Sequence, residues 1–222
     1  MRSAWNQHCT MRINKAAALD LQHLTNLLQP SNSAAWSRPL GLLIPREPHF
    51  HAQSDACNTA MGGLCQSLKF QWRLSNCAFA NLPPWVQNSP SPHLWHINIH
   101  KFIALIINTF FAMMSFLYIH STSPSSLPTS DGWIFLLQAD NTTALSWIRR
   151  LSRNQDKHIT QLCQLFSHLV FSFNTLHPAN FDGQHLAGVL NIKADALSCP
   201  QLYPTYQDLF DSFPEMASLP AY

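Results

Sequence analysis

An uncharged apolar run, FIALIINTFFAMMSFLYI from Phe102 to Ile119, constrains this chain more than any other feature. A run of that length is at the lower limit for crossing a bilayer, and it also suits a helix buried between a sheet and its neighbours. Asn108, Thr109 and Ser115 interrupt it, and Lys101 flanks only one end. The reading adopted is a core helix, with no membrane expected. A small single-span membrane protein is the competing alternative.

A helix apolar nearly all round needs partner layers, and the flanking segments supply them. His49 to Arg73 reads as a meander of three short strands broken by the turn signal Gly62-Gly63. WIFLLQ (Trp133 to Gln138) is short and apolar enough for a buried strand ending at Asp140. TTALSWIRRLSR and Lys157 to Phe171 follow as two helical patterns, then FDGQHLAG as a short strand and ADALS as one helical turn before Pro200. Ahead of all these, AAALDLQHLTNLLQ (Ala16 to Gln29) repeats Leu at helical spacing and stops at Pro30. The order argues for a mixed α/β sheet flanked by helices. The expected layout is a connecting segment with one helix over 1–48, the sheet domain over 49–200, and a loose tail over 201–222.

Only 11% of the residues are charged, against roughly 25% in a typical soluble domain. The net charge of +2 is too small to indicate a nucleic-acid partner by bulk electrostatics, so such a partner must be argued from local clusters. The cysteines never fall in a CxxC pair, which removes zinc knuckles and thioredoxin-type motifs and leaves free thiols as the expectation. The first residues, MRSAWNQHCTMRINK, carry no apolar stretch of the kind a secretory signal needs. The chain is therefore expected inside the cell, in cytoplasm or nucleus.

Three aspartates stand at junctions where a sheet can converge side chains: Asp55 in SDACNTAMGG, Asp140 after WIFLLQA, and Asp195 in NIKADALS. Carboxylates brought together repel unless a cation joins them, and oxygen-rich sites suit Mg²⁺ or Mn²⁺. The motifs around the three resemble, in order and spacing, the ribonuclease H domain of retroelement reverse transcriptase polyproteins. SDAC with MGG is similar to its first-strand Asp and glycine turn, and FQWRL to the following strand. HINIHKFIALIIN resembles the opening of its first long helix, ADNTTALSWIRRLSR its Asp-Asn-Thr block, and QHLAGVLNIKADALSCP its C-terminal block.

The resemblance implies a ribonuclease H-like mixed sheet flanked by helices, and metal-dependent hydrolysis of the RNA strand of an RNA–DNA hybrid. It implies Asp55, Asp140 and Asp195 as catalytic metal ligands of a two-metal Mg²⁺ or Mn²⁺ site, with His185 shuttling protons or assisting product release. Asn141 and Asn191 match positions near the substrate and the last carboxylate, and either is equally placed to cap a helix. Ancestrally the partner would be the reverse transcriptase of the same polyprotein, although no YxDD-type turn occurs here. Arg149, Arg150, Arg153 and Lys157 form the basic cluster. If one helix continued through them, Arg149, Arg153 and Lys157 would share a face able to grip phosphates or simply to meet solvent.

One departure bears on activity. The family pattern has a Glu three residues after Asn98, where this chain has Lys101, and no Asp or Glu occurs between Asp55 and Asp131. At about 6 Å and an effective dielectric of about 20, an ammonium and a divalent ion repel by roughly 5 kcal/mol. Leu186, Ala187 and Cys199 also replace the family's usual Ile, Pro and Arg. The expectation is a degenerate copy with weak or no nuclease activity, the alternative being a noncatalytic nucleic-acid-binding or nonfunctional fragment.

Overall fold

In the computed structural model the described residues are 15–27, 47–75, 97–122, 132–150 and 156–222. They belong to two compact units, residues 1–38 and 39–222. The first holds helix α1 (Lys15–Leu27), in which the Thr25 hydroxyl donates to the Leu21 carbonyl at 2.7 Å and Leu19 and Leu21 are exposed. Residues 28 and 29, the end of the expected helix, lie outside the described residues.

The second unit is an α/β body built on a five-stranded mixed sheet ordered β3-β2-β1-β4-β5. Its strands are β1 (Phe50–Ala56), β2 (Ala60–Cys65), β3 (Phe70–Ser75), β4 (Trp133–Ala139) and β5 (Ala179–His185). The first three form the expected antiparallel meander, whereas β4 runs parallel to β1, and β5 to β4. Parallel neighbours need crossover connections. Helix α2 (Ile97–Thr122) lies between β3 and β4 in the chain, and α3 (Thr142–Arg150) and α4 (Lys157–Asn174) lie between β4 and β5. Helices α5 (Ile192–Ser198) and α6 (Tyr206–Ser212) follow, with 3₁₀ turns at Gly188–Leu190 and Pro214–Ser218.

Gly62 and Gly63 correct the sequence reading, since both lie inside β2 rather than in a turn. The turns fall instead at residues 57–59 and 66–69, the second closed by Lys69, which takes a left-handed φ of 53°. Neighbouring strand residues face opposite ways, and here each glycine admits a helix. A Cβ on Gly62 would stand 2.8 Å from the Leu197 carbonyl carbon of α5, and one on Gly63 would stand 2.5 Å from Asn108 Oδ1 of α2. Helices α2 and α5 therefore cover opposite faces.

On the α2 face, register sets Phe50, Phe135 and Phe181 in one row across β1, β4 and β5. Phe135 lies 4.7 Å, ring centroid to centroid, from each of the other two, and Phe116 of α2 and Phe173 of α4 meet it edge-on. Such pairs add about 0.5–1.5 kcal/mol each beyond their buried area. The long apolar run is the core helix of this layer, with Phe102, Ala104, Leu105, Ala112 and Phe116 buried. Length and composition alone would also let Ile97–Ser121 cross a membrane. Two of its polar interruptions, Asn108 and Thr109, are satisfied within the fold. The Trp72 indole donates to Asn108 Oδ1 at 2.9 Å, Asn108 Nδ2 donates to the Gln53 carbonyl at 3.0 Å, and the Thr109 hydroxyl donates to the Leu105 carbonyl at 2.8 Å.

Residues 201–222 are not the loose tail expected. Leu209, Met216 and Leu219 join Leu64, Ala194, Ala196 and Leu197 in a second apolar cluster on the α5 face. Helix α6 starts in a capping box in which Thr205 and Asp208 bond reciprocally. The chain then closes the β3 edge: Gln71 N donates to the Pro220 carbonyl, and Tyr222 N to the Gln71 carbonyl, each at 3.0 Å. Arg73 ties α5 to this layer, donating to the carbonyls of Leu197 at 2.8 Å, Ala196 at 3.2 Å and Tyr203 at 2.6 Å while its guanidinium lies over the Tyr206 ring.

Candidate active site

Because β1 and β4 are adjacent and parallel, and Gln53 pairs with Gln138, the residues two further along the chain, Asp55 near the end of β1 and Asp140 directly after β4, come level at the C-terminal ends of the two strands. Open sheets bind ligands at such ends. Into the gap between the two aspartates comes Lys101, from the early turns of α2. Its Nζ lies 2.9 Å from Asp55 Oδ1 and 2.6 Å from both oxygens of Asp140. The side chain of Asp55 is 6% exposed, that of Lys101 14% and that of Asp140 26%.

Burial pushes the Asp55 carboxyl up to about 6, the bond and charge of Lys101 pulling against that and Asp140 adding to it. For Lys101, burial disfavours the charge, but the bonds to Asp140 and Asp55 outweigh it and hold the ammonium above its ordinary range. The ammonium is thus a fixed cation in this pair.

Of the other expected residues among those described, His185 is the one that touches this pair. His185, at the end of β5, has Nε2 3.1 Å from the Asp140 carbonyl oxygen. Asp195 is exposed on α5, where its Oδ1 accepts from the Cys199 thiol at 3.8 Å. One turn on, the Ser198 hydroxyl is 3.5 Å from Asp55 Oδ2. Sequence reasoning missed Ser198, since no spacing distinguishes it from other serines. It also missed His100, beside Lys101, whose Nδ1 lies 3.4 Å from the Cys57 carbonyl and whose pKa burial lowers.

Asn141 caps α3, its Oδ1 accepting from Ala144 N and its Nδ2 donating to Asn98 Oδ1, each at 2.8 Å. Both ends of that amide are occupied within the fold. Asn191 is buried and donates to the Ser54 carbonyl at 3.2 Å. One unbroken helix does not run through the basic cluster, because α4 begins at Lys157 behind the extended N-cap Asp156. Arg149 turns to the β5 edge, reaching Asp182 Oδ1 at 3.3 Å and the Gly183 carbonyl at 2.5 Å. The Arg150 side chain and all of Arg153 lie outside the described residues.

The fit of these residues to Mg²⁺ or Mn²⁺ turns on Lys101. A divalent ion joining Asp55 and Asp140 would need the place the ammonium holds. At about 3 Å and an effective dielectric of about 20 the two cations would repel by the order of 10 kcal/mol. Among the described residues, no three His, Cys, Asp or Glu side chains are grouped so as to hold a metal. With Lys101 so placed, the residues present do not fit the two-metal site the resemblance implies. Searches of family models, curated proteins and solved structures found no match to this chain.

Proposed function

We propose that this chain is a ribonuclease H-like domain of retroelement origin in which hydrolysis of the RNA strand of an RNA–DNA hybrid has been lost. The observation that carries the reading is the pair of aspartates meeting at the C-terminal ends of adjacent parallel strands with the Lys101 ammonium between them. An arrangement that gathers two carboxylates at a strand end is costly unless a cation joins them, and it suits a site that once bound one. The mixed five-stranded sheet with helices on both faces is of the general class the reading needs.

The chain's own residues account for the loss. Hydrolysis needs a group that activates water and a cation open to the phosphate oxygens. Lys101 is a cation, but it donates to both oxygens of Asp140 and pairs with Asp55 Oδ1, and a protonated amine has no lone pair with which to activate water as a base. His185 is held against the Asp140 backbone, poised beside chemistry the pair no longer supports. The fold would then serve at most as a noncatalytic surface for hybrid, recognised by backbone shape.

The test is cleavage of a labelled RNA–DNA hybrid in Mg²⁺ and in Mn²⁺ by the natural chain, Lys101→Glu and Asp140→Asn. Cleavage by Lys101→Glu alone is the expected result. Metal-dependent cleavage by the natural chain that Asp140→Asn abolishes would overturn the reading of lost activity. If folded Lys101→Glu is as inert as Asp140→Asn, the ribonuclease H-like assignment loses its support.

A further inference from the structure

A second cluster of reactive groups joins the 57–59 turn to the end of α5. The Cys57 thiol donates at 2.8 Å to the Ser198 carbonyl, which belongs to the peptide bond leading into Cys199. The Cys57 sulfur also accepts from Thr59 N at 3.3 Å and lies 3.1 Å from the Thr59 hydroxyl. Gln201 Nε2 reaches that same hydroxyl at 2.5 Å, so turn and helix end are already held together. Both thiols are free and half-buried, whereas Cys65 and Cys163 are buried. Cys199 is near enough to Cys57 for that neighbour to add to the upward push that burial gives its thiol pKa.

A disulfide requires Cα atoms roughly 4.4–6.8 Å apart and sulfurs able to turn toward each other. The Cys57 sulfur already touches the peptide on the N-terminal side of Cys199. The Cys199 thiol is engaged only weakly, with Asp195 Oδ1 at 3.8 Å.

We propose that Cys57 and Cys199 are a redox pair, closing to an intramolecular disulfide that pins the turn after Asp55 to the end of the helix carrying Asp195. The oxidant is a low-molecular-weight disulfide such as oxidised glutathione. The Cys57 thiolate attacks one sulfur of the reagent, its S–S bond breaks, and the departing thiolate takes up a proton. Cys199, deprotonated in turn, attacks the Cys57 sulfur of the mixed disulfide and expels the second small thiol. Two protein S–H bonds and one reagent S–S bond become one protein S–S bond and two reagent S–H bonds, the reagent gaining the two electrons the protein loses. Nothing here depends on the ribonuclease H-like reading.

The experiment incubates the full folded chain with oxidised glutathione, alkylates the remaining thiols, and maps the peptides by mass spectrometry. Loss of two hydrogens, with one cross-linked peptide joining Cys57 to Cys199, is expected. The thermal midpoint should rise by about 5–10 °C on oxidation, as closing so long a loop implies, and return on treatment with dithiothreitol. Cys57→Ser and Cys199→Ser should each abolish both the link and the shift. Glutathione adducts that persist on either thiol without the link, a link through other cysteines, or no reaction at either position would each overturn the proposal. The peptide map of the natural chain decides this even if a serine variant folds poorly.

Discussion

The strands β1, β4 and β5 present two unlike faces. Toward α2 they align Phe50, Phe135 and Phe181, ring against ring. On the opposite face, three residues further along each strand, they align Gln53, Gln138 and Gln184, whose amides hand on hydrogen bonds from strand to strand at 3.3 and 2.7 Å. The first face gains from dry burial. The second satisfies its polar atoms among themselves, and its apolar cluster forms over β2, where α5 and the C-terminal residues pack on Leu64. One sheet thus carries a large core formed by bulk and a smaller one that depends on close approach. The two are expected to fail differently.

Phe135→Ala should break the comparison most severely. It empties the centre of the aromatic row, at a cost of about 3–5 kcal/mol, and should lower the urea midpoint with hydrogen-exchange protection falling throughout the sheet. Survival of protection on the α2 face would show that Phe135 is not its keystone.

Gly62→Val should act on the other face alone. The new side chain collides with Leu197, and overpacking of this kind costs about 1–3 kcal/mol. Protection should be lost in α5, α6 and the Pro214–Ser218 turn while α2 keeps its own. A uniform loss would mean that the faces unfold as one unit.

The smallest effect should be one of pH. The Asp55 carboxyl is raised from 3.8 to about 6, so between those values the folded chain holds a proton the unfolded chain has released. Its contribution is present below the unfolded value and declines as pH rises through about 6. Denaturation followed over that range should show this downward trend in the natural chain and a flatter profile in Asp55→Asn. An identical slope in both would remove Asp55 as its source.

Much of the first face was legible before folding. FHAQSDA and WIFLLQA carry apolar residues at strand spacing, the run from Phe102 is too apolar for anything but burial or a membrane, and Asp140 marks a strand end. The second face was largely hidden. Gly62-Gly63 reads equally as a turn or as room for neighbours, because glycine's lack of a Cβ serves both. The TYQD capping box at Thr205 to Asp208 was a readable helix start within residues taken for a tail. Arg149 and Lys157 matched one helical face only on the assumption of an unbroken helix, which the extended Asp156 denies.

By itself the sequence determined the local alternations and the presence of Lys101 where the resemblance calls for a glutamate in addition to Asp55, Asp140 and Asp195. These follow from side-chain periodicity and residue chemistry, which act over a few neighbouring positions. Only the tertiary structure decided that β1 and β4 stand side by side, that Asp55 and Asp140 come level, and that the Lys101 ammonium closes on both. Strand order is set by which apolar faces bury together across the whole chain. A meeting of charges more than eighty residues apart is a product of that packing.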